Sequence, residues 1–147
     1  MKRKFKSLAL CLELREVVFL KTIPLHPNII PALEFSFDPI SKKFHICMEY
    51  MDSSLHQFIK ARNQQYLNTS GVQSILFQIM QGLEHIHSHH FFHRDIKPKN
   101  ILISTWARQD PANSITLPDA HTVKITDFGL ARETHSTAQH TTYVSTR

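Results

Sequence analysis

The feature that most constrains this chain is a polar run, His-Arg-Asp-Ile-Lys-Pro-Lys-Asn at residues 93–100, followed downstream by Asp-Phe-Gly at residues 127–129. A short apolar segment follows the first motif at residues 101–103, and another, with Val123 and Ile125, precedes the second motif. Short apolar segments rich in β-branched residues predict strands. The sequence therefore predicts two polar loops, each anchored on a short strand.

The side chains of these motifs match what phosphoryl transfer from ATP to a hydroxyl group requires. Asp95 can accept or orient the hydroxyl proton, and Lys97 places a positive charge near the transferred phosphate. Asn100 and Asp127 supply the amide and carboxylate oxygens that suit Mg²⁺. Gly129 is expected to let the backbone turn sharply after Phe128. The two motifs in this order predict an enzyme that uses ATP and Mg²⁺.

Other interpretations of these residues stay open at this point. One is a charged surface loop without chemistry, and another is a metal hydrolase that uses His93, Asp95 and Asp127, although such a site needs more converging ligands. His85 and His89 have a spacing that could suit zinc, but the glutamate of an H-E-x-x-H pattern is absent. Two nearby histidines are interpreted instead as core-packing residues near a helix end: His87 and His93.

Charge and composition narrow the class of protein. The chain has 147 residues, of which 41% are hydrophobic and 20% are charged, as expected for a single globular domain. The formal net charge of +5 would suit an anionic partner. The basic residues are scattered, however, and no aromatic-basic ladder is present, so nucleic-acid binding is the weaker hypothesis.

Cysteine usage and hydropathy bear on the compartment. Cys11 and Cys47 lack paired spacing and lie in apolar segments, which predicts buried thiols in a reduced intracellular protein. The apolar part of the N-terminal segment, residues 7–12, ends at Glu13 and is shorter than the roughly 7–15 residues of a secretory signal. No segment approaches the roughly 20 apolar residues of a membrane span. We therefore expect no membrane partner and a cytoplasmic or nuclear location.

Hydrophobic periodicity and turn residues predict the order of the elements. The predicted elements are a helix over 8–21, a strand over 29–37, a turn over 38–42, a strand over 44–50, a short helix near 54–62, a long helix that begins with a capping box at 70–73, strands at 101–103 and around 123–125, and a surface loop over 106–120. The long helix has one apolar face, made of Val72, Ile75, Leu76, Ile79, Leu83 and Ile86.

Glu16 is an acid on the apolar face that Leu12, Phe19 and Leu20 form in the first predicted helix. Burying a carboxylate is costly unless it is paired. The residues alone leave open whether Glu16 is paired or lies solvated at the rim.

The two motifs together resemble the catalytic and metal-binding segments of the eukaryotic protein kinases. Leu-Arg-Glu at residues 14–16, followed by His-Pro-Asn-Ile at residues 26–29, resembles the helix-C region of the group that includes cyclin-dependent and mitogen-activated kinases. Within this group, residues 1–5 and the Thr-x-Tyr at residues 141–143 resemble the male-germ-cell-associated kinases. Residues 41–62 and the long loop before Asp-Phe-Gly resemble the fungal meiosis-inducing kinases.

The resemblance implies an α+β, bilobal protein-kinase-like fold, of which this chain contains a part. Residues 1–49 would form part of the N-terminal lobe with helix C, residues 50–53 the hinge, and residues 54–147 part of the helical C-terminal lobe as far as the activation segment. The resemblance further implies a serine/threonine protein kinase that uses ATP and Mg²⁺ and acts on a protein substrate, with an upstream activating kinase as a candidate partner.

The resemblance also assigns roles on the nucleotide side. Glu16 would pair with the lysine of the third N-lobe strand. Met48 would be the gatekeeper, the backbone of Glu49 and Met51 would hold adenine, and Leu102 would lie beneath the ring.

Regulatory roles follow in the same way. Arg94 would clamp a phosphorylated activation loop, because a guanidinium matches a phosphate with two hydrogen bonds. Thr141 and Tyr143 would be the phosphorylation sites, and Thr146 would help position Asp95. Three side chains would join a stacked apolar spine: Leu20, His93 and Phe128.

Some parts of the resembled pattern are missing from the sequence. No G-x-G-x-x-G occurs, since the glycines stand at positions 71, 82 and 129, and the lysine that would pair with Glu16 would lie upstream. The chain also stops before the expected Ala-Pro-Glu segment. We therefore expect the isolated chain to be catalytically inactive or nearly so. The alternative function is that of an inert kinase-derived module that binds partners.

Overall fold

The elements of the chain combine small β-sheets with helices, and the computed structural model describes residues 8–63, 67–106 and 120–134. In chain order the helices are α1 Leu8–Leu12, α2 Arg15–Thr22, α3 Leu55–Ala61 and α4 Thr69–Ser88, with a short 3₁₀ turn at Pro98–Asn100. The strands are β1 Ala32–Asp38, β2 Lys43–Met48, β3 Ser53–Ser54, β4 Phe91–Phe92, β5 Ile101–Trp106, β6 Ala120–Ile125 and β7 Arg132–Glu133. This mixture confirms the predicted α+β class.

The first predicted helix is two helices, so the prediction of one helix over 8–21 is wrong. Leu14 adopts an extended conformation with φ −61° and ψ 135°, which interrupts the helical path between α1 and α2. The Leu14 carbonyl nevertheless accepts a hydrogen bond from the Val18 amide at 2.9 Å, as the residue before a helix does. The break gives α2 its own start, one residue before Glu16.

Strands β1 and β2 form an antiparallel two-stranded sheet, here called the hairpin (residues 32–48). Its turn contains Lys42 in the left-handed region at φ 58°, and the Asp38 side chain accepts a hydrogen bond from the Ile40 amide. The strand predicted over 29–37 begins later, at Ala32, because Ile29 forms a separate bridge with Ile125. Side chains alternate along β2, which leaves Cys47 exposed. The prediction that both thiols are buried therefore holds for Cys11 and is wrong for Cys47.

Three strands form the sheet beneath the two polar motifs, in the order β3–β5–β6. Strands β5 and β6 are antiparallel, with Ile101 opposite Ile125 and Leu102 opposite Lys124. A small second pair, β4 with β7, follows the same antiparallel pattern. The hydrophobic core that includes residues of these strands contains Phe19, Ile30, Ile86, Ile101, Ile103, Val123, Ile125 and Phe128. His93, Val17 and Cys11 are also fully buried.

Helix α4 begins two residues earlier than the capping box predicted. Asn68 is the residue before the helix, and its side-chain oxygen accepts a hydrogen bond from the Gly71 amide at 2.7 Å. The predicted cap at Ser70 is therefore wrong, because Ser70 lies inside the first turn and donates to Asn68. The buried face is centred on Ile75, Gly82 and Ile86. Four large apolar side chains of this helix are exposed: Val72, Leu76, Phe77 and Met80.

Gly82 allows a close approach between α4 and its neighbours. A Cβ atom at this position would lie 2.9 Å from the Asn28 carbonyl oxygen and 2.9 Å from the Ile125 side chain. Real Cβ atoms do not come this near, so only glycine fits without a shift of the backbone. The contact brings α4 against β6.

The outer edge of β6 forms hydrogen bonds with Asn28 and Gln78, which do not belong to a strand. The Asn28 carbonyl accepts from the Ile125 amide at 2.9 Å, and the Asn28 side chain donates to the Val123 carbonyl at 2.9 Å. The Gln78 side chain accepts from the Val123 amide and donates to the His121 carbonyl, both at 2.9 Å. One amide side chain from α4 thus imitates the pairing of a neighbouring strand.

The helices of the described ranges are short or polar relative to a membrane-spanning helix. None of them combines the length and the apolar character that crossing a membrane requires.

Candidate active site

His93 is buried at the start of the first polar motif and holds it to the second. Its Nδ1 accepts a hydrogen bond from the Asp95 amide at 3.2 Å, so the ring proton lies on Nε2, which donates to the Thr126 carbonyl at 2.9 Å. Burial lowers the pKa of His93, which keeps the ring neutral. The predicted core position is confirmed for His93. It is wrong for His87, which is exposed and touches the edge of Phe92.

Asp95, Lys97 and Asn100 meet as the motif predicted. The Lys97 ammonium lies 2.7 Å from Asp95 Oδ2, and the Asn100 amide donates to the same oxygen at 2.9 Å. The Asn100 amide also donates to the Asp95 carbonyl at 3.0 Å. A charged donor and an amide donor on one carboxylate oxygen fix its orientation. The carboxylate is thus prepared to accept a proton or a hydrogen bond.

Asn100 and Asp127 fit Mg²⁺ in their chemistry. Both donors of the Asn100 amide are used on Asp95, which leaves its Oδ1 as an oxygen ligand. Asp127 is exposed at the end of β6, and the Thr126 amide donates to the Asn100 carbonyl at 3.0 Å, so the two loops adjoin. Mg²⁺ commonly takes one or two protein oxygens and completes its shell with phosphate oxygens and water. One amide and one carboxylate oxygen satisfy this pattern.

The zinc and metal-hydrolase interpretations need a denser set of ligands. Within residues 8–63, 67–106 and 120–134, no three His, Cys, Asp or Glu side chains are grouped closely enough to hold a metal ion. His85 instead stacks on His26 with ring centroids 4.6 Å apart, and its Nε2 bonds the Pro24 carbonyl at 3.0 Å. The described residues thus give these interpretations no support.

The backbone turns directly after Phe128, as expected, because the Ala131 amide donates to the Phe128 carbonyl at 2.9 Å across Gly129. Gly129 has no positive φ, whereas Asp127 has φ 65° and Arg94 has φ 69°, both in the left-handed region. A Cβ atom at Gly129 would contact Asp127 Oδ1 at 3.4 Å, which is close to an ordinary contact. The turn is therefore present but does not depend on the left-handed backbone that glycine allows. Left-handed backbone in non-glycine residues carries strain, and here it occurs in both polar motifs.

Glu16 faces this site from α2. Burial raises the pKa of its carboxyl, and the nearby charge of Asp127 raises it further. The residue is half-buried, and the part of the chain that the structure describes gives it no ion pair. The structure thus brings Glu16 close to a proposed metal ligand of the same charge.

Phe128 is held by an aromatic stack that the sequence only partly predicted. The Phe128 ring stacks on Phe19 with centroids 3.9 Å apart, and His93 meets its edge at 5.1 Å. Leu20, which was expected in this stack, is partly buried and packs against the same core. The position of Phe19 on the apolar face of the first helix was the available signal. The stack ties α2 to both polar motifs.

On the nucleotide side, Met51 and Leu102 line one open cleft of about 500 Å³, together with Asp52, Ser53, Ser54, His56, Gln57 and Lys99. Met48 packs against the core at the end of β2. The Glu49 carboxylate lies 2.8 Å from the Lys124 ammonium. Lys124 was not predicted, although a lysine between the buried Val123 and Ile125 was a visible signal.

The predicted regulatory positions lie partly inside and partly outside the described residues. Arg94 is half-buried at the start of the first motif. Thr141, Tyr143 and Thr146 lie outside the described residues, as do residues 107–119 of the predicted loop.

Sequence comparisons with known proteins point to the same family as the two polar motifs. The protein kinase domain family matches residues 2–147. Meiosis induction protein kinase IME2/SME1 of Saccharomyces cerevisiae is 40% identical over 136 residues, which cover 90% of this chain and 21% of that protein. Serine/threonine-protein kinase ICK of Rattus norvegicus is 42% identical over 147 residues, covering 100% of this chain and 20% of that protein.

A third relative has a similar identity and coverage. Sporulation protein kinase mde3 of Schizosaccharomyces pombe is 43% identical over 136 residues, which cover 92% of this chain and 23% of that protein. The chain thus spans about a fifth of the length of the curated relatives it matches. With the two motifs, their junction and a family match over almost the whole sequence, the chain belongs to the protein kinase family.

Proposed function

We propose that this chain carries the catalytic centre of a serine/threonine protein kinase, which transfers the γ-phosphoryl group of ATP to a hydroxyl of a protein substrate. The observation that carries the proposal is the Asp95 carboxylate, held on one oxygen by Lys97 at 2.7 Å and Asn100 at 2.9 Å. A carboxylate fixed in this way can orient the attacking hydroxyl and accept its proton.

The other residues of the site would compensate charge, hold the two loops together and bind Mg²⁺. Lys97 offsets negative charge close to the transferred group, and the neutral His93 holds the two loops together through the Thr126 carbonyl. Asn100 and Asp127 would hold Mg²⁺, which neutralises charge on the phosphates. In this assignment Glu16 needs a lysine partner, since its pKa is raised by burial and by Asp127.

The nucleotide is proposed to lie between the hinge and β5. The backbone of Glu49 and Met51 would bind the adenine edge, Leu102 would support the ring, and Met48 would limit the depth of the pocket. The open cleft beside Met51 and Leu102 supports this placement. The division into a partial N-terminal lobe at 1–49, a hinge at 50–53 and a partial C-terminal lobe at 54–147 belongs to the same proposal.

Regulation and biological role are proposed from the relatives. Two of the three are named for meiosis induction and sporulation, and one for serine/threonine kinase activity. We assign the chain to the control of meiosis or a related developmental programme, acting on proteins in the cytoplasm or nucleus. Thr141 and Tyr143 would be phosphorylated by an activating kinase, Arg94 would bind the phosphate, and Thr146 would support Asp95.

The test is phosphate transfer by the full-length protein to a basic protein substrate, with identification of the phosphorylated amino acid. Loss of a general base typically lowers the rate about 10²–10⁴-fold, so Asp95→Asn should fall by that order. Asp38→Asn, in the hairpin turn, is the matched control and should keep the wild-type rate. Wild-type protein that binds ATP without transferring phosphate would instead support the inert binding module.

A further inference from the structure

An ion pair joins the segment after β2 to the strand that leads to Asp127. The Glu49 carboxylate and the Lys124 ammonium are 2.8 Å apart, and 75 residues separate them in the sequence. The Lys124 side chain is only 12% exposed, whereas that of Glu49 is 40% exposed. A lysine this far from water needs its partner, because an unpaired charge in such a position is costly.

The strand register places Lys124 beside the cleft. Lys124 lies directly opposite Leu102 in the antiparallel β5–β6 pair. Side chains of directly opposed residues lie on the same face, with Cβ atoms roughly 5 Å apart. The aliphatic part of Lys124 therefore runs beside Leu102, which lines the cleft, while its ammonium reaches the segment above.

The same short segment is fixed again at its other end. The Asp52 amide donates to Ser104 Oγ at 3.1 Å, and the Asp52 carboxylate accepts from the Thr105 amide at 3.1 Å. Between the two anchors, Tyr50 is 82% exposed and contributes little packing. Residues 49–52 thus form a strap over β5, held at one end by Lys124 and at the other by Ser104 and Thr105.

We propose that the Glu49–Lys124 pair positions the backbone of residues 49–51 over Leu102 and thereby sets the affinity of the site for a purine ring. Both are positioning residues, since neither side chain needs to touch the nucleotide. This inference rests on the proposed function, which places adenine at this backbone. Preorganised backbone groups bind a ligand more tightly because they lose less conformational entropy on binding. The phosphates, which lie at the opposite end of a nucleotide, should not depend on the pair.

The test uses the full-length protein and two probes, adenosine and inorganic tripolyphosphate, with dissociation constants from titration calorimetry. Glu49→Gln and Lys124→Met should each weaken adenosine binding about tenfold, the loss that corresponds to about 1.4 kcal/mol, and leave tripolyphosphate binding unchanged. The reciprocal variant Glu49→Lys with Lys124→Glu should recover most of the adenosine affinity. Lys124→Arg should retain it, because the charge and the reach are kept. Lys43→Met, at an exposed lysine of β2, is the matched control.

The outcomes separate this inference from the function on which it rests. Equal losses for adenosine and tripolyphosphate, or unchanged adenosine affinity in Glu49→Gln, overturn the positioning role alone. Wild-type protein that binds neither adenosine nor ATP overturns both proposals. If Lys124→Met does not fold, the comparison of Glu49→Gln with the reciprocal variant decides, because Glu49 is the more exposed partner.

Discussion

The catalytic-loop half of the molecule (residues 91–103 and 120–133) and the hairpin (residues 32–48) are built in different ways. In the catalytic-loop half, Phe128 is fully buried and His93 is 1% exposed. In the hairpin, every residue is at least partly exposed, with Leu33 at 66% and Ile40 at 92%. All four buried polar residues of the described ranges lie outside the hairpin: Asn28, His93, Asn100 and Ser104.

The difference shows what fixes each side of the site. The two polar motifs are held by contacts between distant segments, such as the Phe19–Phe128 stack and the His93–Thr126 hydrogen bond. The hairpin is held by its own turn and strand register. Its end at Met48 is connected to the rest through Glu49 and Lys124. Substitutions in the two regions should therefore have very different consequences.

The largest contrast is expected for matched phenylalanine substitutions. Phe128→Ala removes a fully buried ring and should lower the free energy of unfolding by about 3–5 kcal/mol. Phe44→Ala removes a partly buried ring that packs on Phe35 in the hairpin, and should cost about 1 kcal/mol or less. Urea denaturation of the full-length variants measures both. Similar losses at the two positions would remove the distinction between the regions.

A middle-sized effect is expected where α4 meets the catalytic-loop half. Gly82→Ala pushes a methyl group against the Asn28 carbonyl and Ile125, so it should destabilise the fold by about 1–3 kcal/mol. Gly71→Ala is the matched comparison, since its Cβ would press on the Asn68 side chain and not on backbone, so its cost should stay within the ~1 kcal/mol of that helix cap. The midpoints of thermal unfolding of the two variants and of the wild type are compared. A wild-type midpoint for Gly82→Ala would show that this contact is looser than the structure indicates.

The smallest effect is a pH dependence to which His93, in the catalytic-loop half, contributes. Burial lowers the pKa of folded His93 below its ordinary value of 6.5, so the unfolded chain binds more protons as the pH falls through that range. Stability from His93 is therefore present above about pH 6.5 and is lost as the pH falls towards the folded pKa. His26 has a lowered pKa too, with burial as the main cause, and adds a change of the same sign.

The midpoint of thermal unfolding is measured at a series of pH values between pH 8 and pH 5. The quantity compared between variants is the slope of the midpoint against pH. His93→Gln should flatten the slope relative to wild type, even if it lowers every midpoint. His45→Gln, on the exposed face of β2, should leave the slope as it is. An unchanged slope in His93→Gln would assign the pH dependence to other groups.

Local patterns were enough to predict much of the fold. The alternation in β2, the short helix after Ser54 and the strands beside both motifs follow from residues within a few positions of one another, and all are confirmed. The meeting of Asp95, Lys97 and Asn100 was predictable for the same reason, because all three lie within six consecutive residues. The division into lobes and the adenine contacts came from the family resemblance and stay predictions.

Features that depend on distant segments were not predictable from periodicity. The Glu49–Lys124 pair joins residues far apart in sequence, and Asn28 reaches Val123 across 95 residues. The left-handed backbone at Arg94 and Asp127 depends on the surrounding structure and not on residue type, since glycine would be the usual choice there. The early start of α4 was missed because Asn68 competes with Ser70 for the same role.

The covered edge of β6 has a consequence for how this protein behaves at high concentration. An unpaired strand edge is a template on which a second chain can add its own strand and begin aggregation. Gln78 and Asn28 already occupy the outward groups of His121, Val123 and Ile125, so β6 offers no such template. Removing the Gln78 amide would thus do more than weaken a contact. It would open a sheet that ends at Asp127 to pairing with other molecules, and insoluble protein would appear before activity could be assayed.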